Sequence, residues 1–214
     1  MTVPHRILCA LSVFAVLVTL PAAAQDTITV GSQTVLPGSV VDIPIFVRDV
    51  SGTPLGIDQP AGSRIQSLSI KVNYAPASAV QSIAISRAGI TSPLTPLAEF
   101  TPSSAGSVSL ITSFEESTDL IPFTSNGPAP GNEVAHLLVT VSSANLPQTI
   151  TLTLDPTLTQ LSNQAGTTSE TSATAGLTLV NGAITIVPIV PALSTIGLLL
   201  LAAAFAIIAF RKLI

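Results

Sequence analysis

Polar and apolar residues alternate along much of this chain with a period of two, the spacing that places successive side chains on opposite faces of a β-strand. Over residues 40–48, Val41, Ile43, Ile45 and Val47 share one face, while Asp42, Pro44 and Arg48 lie on the other. Over residues 66–74, Leu68, Ile70, Val72 and Tyr74 point one way, and Ser67, Ser69, Lys71 and Asn73 point back. Both stretches predict half-buried strands. Further strands are predicted at 27–30, 80–85, 107–114, 134–141, 149–154, 177–180 and 183–187. Residues 134–141 are apolar on both faces, which predicts a central strand. Pro44 has no amide to donate, so its strand is expected at a sheet edge or at a bulge. Asn181-Gly182, between the last two strands, predicts a hairpin, because both residue types tolerate positive φ.

The two ends break this pattern. Residues 193–210 carry no charge, and from Leu198 no polar side chain occurs before Arg211 and Lys212. Eighteen residues at about 1.5 Å each make roughly 27 Å of helix, close to the hydrocarbon thickness of a bilayer. A transmembrane helix is therefore expected at 193–210, with 188–192 as a short linker. Positive flanks stay on the cytoplasmic side, which puts the basic end, 211–214, inside and everything before Pro191 outside. At the other end, His5 and Arg6 precede an apolar run over 7–20, and Pro21-Ala22-Ala23-Ala24 supplies small residues at Ala22 and Ala24, just before Gln25. This is the form of a secretory signal peptide over 1–24, cut after Ala24. Cys9 is the only cysteine; it leaves with the signal, so the exported chain has no disulfide.

What remains, residues 25–187, is long enough for one domain with a substantial core. It is rich in Thr, Ser, Val, Ile, Pro and Gly and has no sustained helical spacing, so the fold class is all-β: a sandwich of about eight or nine strands with jelly-roll connections. Its eleven acidic and four basic residues give a formal net charge of −7, a balance that excludes nucleic acid as a partner. The stretches 90–106, 122–131 and 160–176 lack a core pattern and are expected as surface loops.

Candidate chemistry is sparse. His136 is the only histidine after the signal, and alternation places it mid-strand on a face with Val134, Leu138 and Thr140. Without a Gly-x-Ser-x-Gly elbow it reads as a strand-face histidine rather than a catalytic base. No phosphate loop, zinc-protease motif or EF-hand loop occurs. Glu115, Glu116 and Asp119 fall within five residues and are candidate calcium ligands, or an acid–base pair, set against the preferred reading of a solvated loop. No other cofactor and no catalytic residue is expected. Apart from Phe205 and Phe210 in the C-terminal run, the exported chain has only Tyr74 and Phe46, Phe100, Phe114 and Phe123 as aromatics, too few for a sugar-stacking platform.

Two stretches resemble known families. Val190, Pro191, Leu193, Ser194 and Gly197, then the apolar run and Arg211-Lys212, resemble a C-terminal sorting tail of the exosortase class, in the variant reading Ile-Pro-Thr-Leu-Ser-x-x-Gly. Ala192 stands where that motif has Thr, and Ile196 where Trp is frequent. The resemblance implies an envelope protease that acts near Pro191 to Ser194, in a Gram-negative bacterium. The second resemblance is to cohesin domains. It rests on Val30-Gly31, on Pro37-Gly38 and the alternating strand to Ile45, on residues 65–74 closing in Tyr74-Ala75-Pro76, on 133–142, and on 177–186. Residues 86–106 match nothing in that pattern.

The cohesin resemblance implies a binding module whose partner is a dockerin-bearing protein or a polysaccharide, the latter linked to polysaccharide breakdown. The resulting expectation is a non-enzymatic, exported module at the cell envelope or surface, held to the membrane by its C-terminal helix until a sorting protease acts. The alternative is a structural protein of the surface layer or biofilm matrix that assembles with its own copies.

Overall fold

The computed structural model describes residues 24–144, 147–174 and 176–189. The membrane span, the sorting motif (Pro191, Leu193, Ser194, Gly197, Arg211 and Lys212) and most of the signal peptide, including Ala22, lie outside the described residues. Among those described, no helix is long and apolar enough to cross a membrane. In chain order the strands are β1 (Asp26–Val30), β2 (Gln33–Val35), β3 (Val40–Arg48), β4 (Ser67–Ala75), β5 (Val80–Arg87), β6 (Pro96–Phe100), β7 (Ser103–Ser104), β8 (Ser107–Phe114), β9 (Asn132–Val141), β10 (Gln148–Leu154), β11 (Gln160–Ser162), β12 (Ser169–Thr171), β13 (Leu177–Val180) and β14 (Gly182–Ile186).

They form two sheets. One runs β13-β1-β3-β9-β5. In the other, β4 has β8 along one edge, and β11 and β10 end to end along the other. Outside β8 lie β6 and β7; outside β10 lie β14 and then β2. Pairing is antiparallel except for β1 with β13 and β14 with β2, where the chain changes sheets. The alternation read from the sequence closes the sandwich. Ile28, Ile43, Ile45 and Val47 from the first sheet meet Leu68, Ile70, Leu110 and Ile150 from the second, all essentially inaccessible to water. Burial of each such side chain contributes about 1.5–3 kcal/mol before chain entropy is subtracted.

All nine strands expected from alternation are present, and five more join them. The additional β2, β6, β7, β11 and β12 have five residues or fewer, too short to show a period. Four of them lie in stretches expected to be loops: β6 and β7 within 90–106, β11 and β12 within 160–176. They exist by pairing, β6 and β7 onto β8, β11 onto β4 and β12 onto β11, rather than by their own pattern.

One local expectation resolves to one of its two alternatives, and two others change. Pro44 is not on an edge strand, since β3 lies between β1 and β9; the bulge alternative holds, with the β3–β9 register shifting at Ile45/Phe46. Across that shift Ile45 opposes Ala135 and Phe46 opposes Glu133, leaving Val134 unmatched. Val134 is thereby turned inward and buried, not outward with His136. Finally, Asn181-Gly182 makes no hairpin: β13 pairs with β1 in the first sheet and β14 with β10 in the second. The Asn181 side-chain oxygen accepts the Leu154 amide at 2.9 Å, and a Cβ on Gly182 would lie 2.1 Å from the Gly31 carbonyl oxygen. Glycine is needed there for close approach of two backbones at a sheet crossing.

Candidate protein-binding face

The outer face of the second sheet is built from small hydroxyls. Ser67, Ser69, Lys71 and Asn73 of β4 face outward opposite Ser113, Ile111, Ser109 and Ser107 of β8. On this serine floor Ile111 is an exception, 45% exposed, and its partner on β6 is Phe100, 63% exposed. From the far side the β10–β11 connection adds Leu158, 51% exposed, whose carbonyl accepts the Ser69 hydroxyl at 2.8 Å. Between Ile111, Leu158 and Pro102 lies a surface depression of about 310 Å³ over Ser69 and Ser109; a second of about 220 Å³ continues past Ile111 toward Ala98 and Gln160. Lys71 closes one side in an ion pair with Asp155 at 3.3 Å. Two Asp155 oxygens also meet the Thr157 hydroxyl and amide and the Asn73 amide group. The Thr157 hydrogen bonds above all hold this carboxyl below the usual carboxylate range.

Arg87 fixes the β6 side of this face. From the end of β5 its Nε donates to Glu99, and its Nη1 donates to the carbonyls of Thr91 at 2.6 Å and Leu94 at 2.9 Å. Its guanidinium lies 5.7 Å from the centre of the buried Phe114 ring. One side chain thus ties down both the connection before β6 and β6 itself. In the β6–β8 register Leu97 is the unmatched residue of a bulge, and it too is exposed, at 58%. Phe100 and Leu97 fall in a stretch that sequence reading assigned to a loop. Ile111 carried a legible signal: it is the apolar member of an otherwise serine-bearing outward register.

His136 stands on the outer face of the other sheet, its Nδ1 3.0 Å from Asp42 Oδ2. Ser86 opposes it across β5, but no hydrogen bond joins Ser86 to the imidazole. Nor does the structure bring Glu115, Glu116 and Asp119 to one point. Glu116 accepts the Gly62 amide and pairs with Arg64, Glu115 accepts from Gln164 and Ser117, and Asp119 accepts from Thr95 and Thr118. Among the described residues no three carboxylate or imidazole side chains are placed to hold a metal ion. At the predicted cleavage site, Ala24 is half-buried and Gln25 is exposed, with the Gln25 side-chain oxygen accepting the Thr178 hydroxyl at 2.6 Å.

The class defined by these features is a two-sheet jelly-roll sandwich with one sheet face, apolar at its centre and hydroxyl-rich around it, turned to solvent. Solved structures narrow that class to the cohesin fold. The third cohesin ScaC in complex with the ScaB dockerin, from Acetivibrio cellulolyticus, is 19% identical with a TM-score of 0.55, over 76% of this chain and 99% of that one. A type I cohesin–dockerin complex with OlpA from Clostridium thermocellum gives 11% identity and a TM-score of 0.55 over the same shares. The seventh ScaB type I cohesin from Pseudobacteroides cellulosolvens gives 19% and 0.53, over 78% of this chain and 96% of that one. At these identities the likeness is one of fold. No family model matches the chain, and no curated protein does.

Proposed function

We propose that this chain is an exported, non-enzymatic protein-binding module of the bacterial envelope or surface, and that it takes a dockerin-type partner on the outer face of β6, β8 and β4. The observation that carries the reading is the exposure of Phe100, Ile111 and Leu158 together on a serine floor. Apolar groups at the centre of a polar surface are where binding energy concentrates, since covering them removes water while the hydroxyl rim supplies hydrogen bonds. A polysaccharide partner is less well supported, because Phe100 is the one aromatic this face offers for stacking. Export by the N-terminal signal and anchoring by residues 193–210 complete the proposal and account for a β-domain that carries a long apolar stretch behind it.

Binding assays on the full chain in detergent test the reading. The chain is immobilised and exposed to dockerin-bearing proteins, to a glycan array and to itself at rising concentration. Capture of a dockerin, lost on Phe100→Ala, is the expected result. Glycan capture alone would shift the assignment to polysaccharide binding, and self-association alone to a structural protein. Intact mass of the protein from its host settles the ends: a mature chain that begins at Gln25 is expected.

A further inference from the structure

Three carboxylates are buried at one end of the first sheet, none exposed to solvent: Asp26 at the start of β1, Asp49 just past β3, and Glu170 on β12. Each spends one oxygen on the connection that follows β3. Asp26 Oδ1 accepts the Val50 amide at 2.8 Å, Glu170 Oε1 that of Leu55 at 2.8 Å, and Asp49 Oδ2 that of Ile57 at 2.9 Å. Thr53, also buried, places its hydroxyl within reach of the carbonyls of Leu55 at 2.6 Å and Val50 at 3.0 Å, its single proton shared between them, and beside the Glu170 carboxyl. Three acids drawn from both sheets and the end of β3 therefore clasp residues 50–57.

The other oxygen of each acid, Asp26 Oδ2, Asp49 Oδ1 and Glu170 Oε2, is buried and has no hydrogen-bond donor. Among the described residues no basic side chain neutralises them. Arg48 donates to the Gly127 carbonyl, Arg64 pairs with Glu116, Lys71 with Asp155, and Arg87 with Glu99. The further charge facing the group is another acid: a Cβ on Gly56 would lie 2.7 Å from both Asp49 Oδ1 and Asp58 Oδ1. From β13, which flanks β1, no titratable side chain faces the cluster. Burying several like charges without a counter-ion is untenable, so at least one acid must stay neutral. Asp26 and Glu170 contact each other side chain to side chain, and two acceptor oxygens without a donor are what a single shared proton satisfies.

We propose that Asp26 and Glu170 share a proton and form a pH-operated latch: protonated, it holds the 50–57 connection and β12 against β1, and deprotonated, its like charges drive that connection loose while the sandwich core stays folded. The direction of the linkage follows from the environment. Burial, and then the charge of Glu170, push the Asp26 carboxyl up to about 9 from an ordinary 3.8; burial likewise raises Glu170 and Asp49. The closed form holds a proton that the freed carboxyl releases, so the latch is fully closed in acid, weakens as pH climbs, and is lost as pH rises through the folded-state value.

Hydrogen exchange on the full chain in detergent, corrected for the intrinsic pH dependence of exchange, reads the latch at the Val50, Leu55 and Ile57 amides. Between about pH 7 and pH 10 their protection is expected to fall at least about tenfold, while that of Leu137 and Val139 in β9 holds. Asp26→Asn, which keeps a neutral donor beside Glu170, is expected to remove most of that pH dependence, and Glu170→Gln to do the same should the first variant fold poorly. Equal pH responses at the latch and in β9, or variants that respond as the natural chain does, would overturn the proposal. So would protection at neutral pH that rises with added calcium and falls with a chelator, since the acids would then be holding a cation instead of a proton.

Discussion

Replacing Arg87 by lysine tests whether one side chain organises the β6 side of the proposed binding face. The arginine side chain is 18% exposed. It serves three acceptors, Glu99 and the Thr91 and Leu94 carbonyls, while lying over Phe114. A lysine ammonium keeps the charge and three donors but presents them from one atom without the planar fork, so it cannot hold Glu99 and both carbonyls in the geometry the guanidinium gives. A hydrogen bond from a charged donor contributes about 1.5–3 kcal/mol. The ring contact adds about 0.5–1 kcal/mol, and the half-exposed Glu99 pair at most about 1 kcal/mol. Because lysine recovers part of this, the expected loss is about 2–4 kcal/mol. For a domain of this size each kcal/mol lowers Tm by about 2–4 °C, so Arg87→Lys should melt about 5–15 °C lower by circular dichroism. Exchange at the 94–100 amides should accelerate more than in β9, because the anchor is local. A Tm within about 2 °C of the natural chain, with 94–100 equally protected, would refute the assignment.

If the proposed face takes a dockerin-type partner, Phe100→Ala or Ile111→Ser should weaken its capture by about thirtyfold or more, a loss of about 2 kcal/mol at an interface centre. Unchanged affinity in a folded variant would move the interface elsewhere. On the acid side, the hydrogen-bonded Asp155 carboxylate contributes stability that is present above its ordinary 3.8 and lost as pH falls toward its lowered folded-state value. The Tm gap between the natural chain and Asp155→Asn should therefore shrink as pH is taken from neutral to about 2, and a constant gap would contradict this. At the sheet crossing, a Cβ on Gly182 meets the Gly31 oxygen at 2.1 Å. Gly182→Ala should cost about 1–3 kcal/mol of overpacking strain in a denaturant titration, and an unaffected midpoint would show that the backbones are not in contact.

Much of the sandwich is legible because the alternating register is long. In β3, β4 and β8 eight or nine residues repeat apolar-in, polar-out, and a period of two over that length admits one orientation. The proposed binding face is less legible because most of its apolar elements break the rule. Leu97 sits on a bulge, Phe100 closes a five-residue strand that opens on Pro96, and Leu158 lies on a connection. Asn181-Gly182 misleads for a related reason: a local turn signal does not report that the strands on either side belong to different sheets, which is settled by partners far away in the chain.

The buried acids show a signal that alternation does contain when it is followed past the last apolar residue. Asp26 precedes Ile28 and Val30 in step, and Asp49 follows Ile43, Ile45 and Val47 in step, so both acids fall on the core register of their strands. A charged residue at the end of an apolar register reads naturally as the point where the strand leaves the core. Here the chain does not leave: both carboxyls turn under the 50–57 connection and cap its amides. Glu170, on a three-residue strand, offers no register of its own and completes the cluster only because β12 pairs with β11 and β11 with β4. An acid in step with a buried face should therefore be read first as a buried carboxyl in need of a donor, and the donors sought among the amides of the connection that follows it.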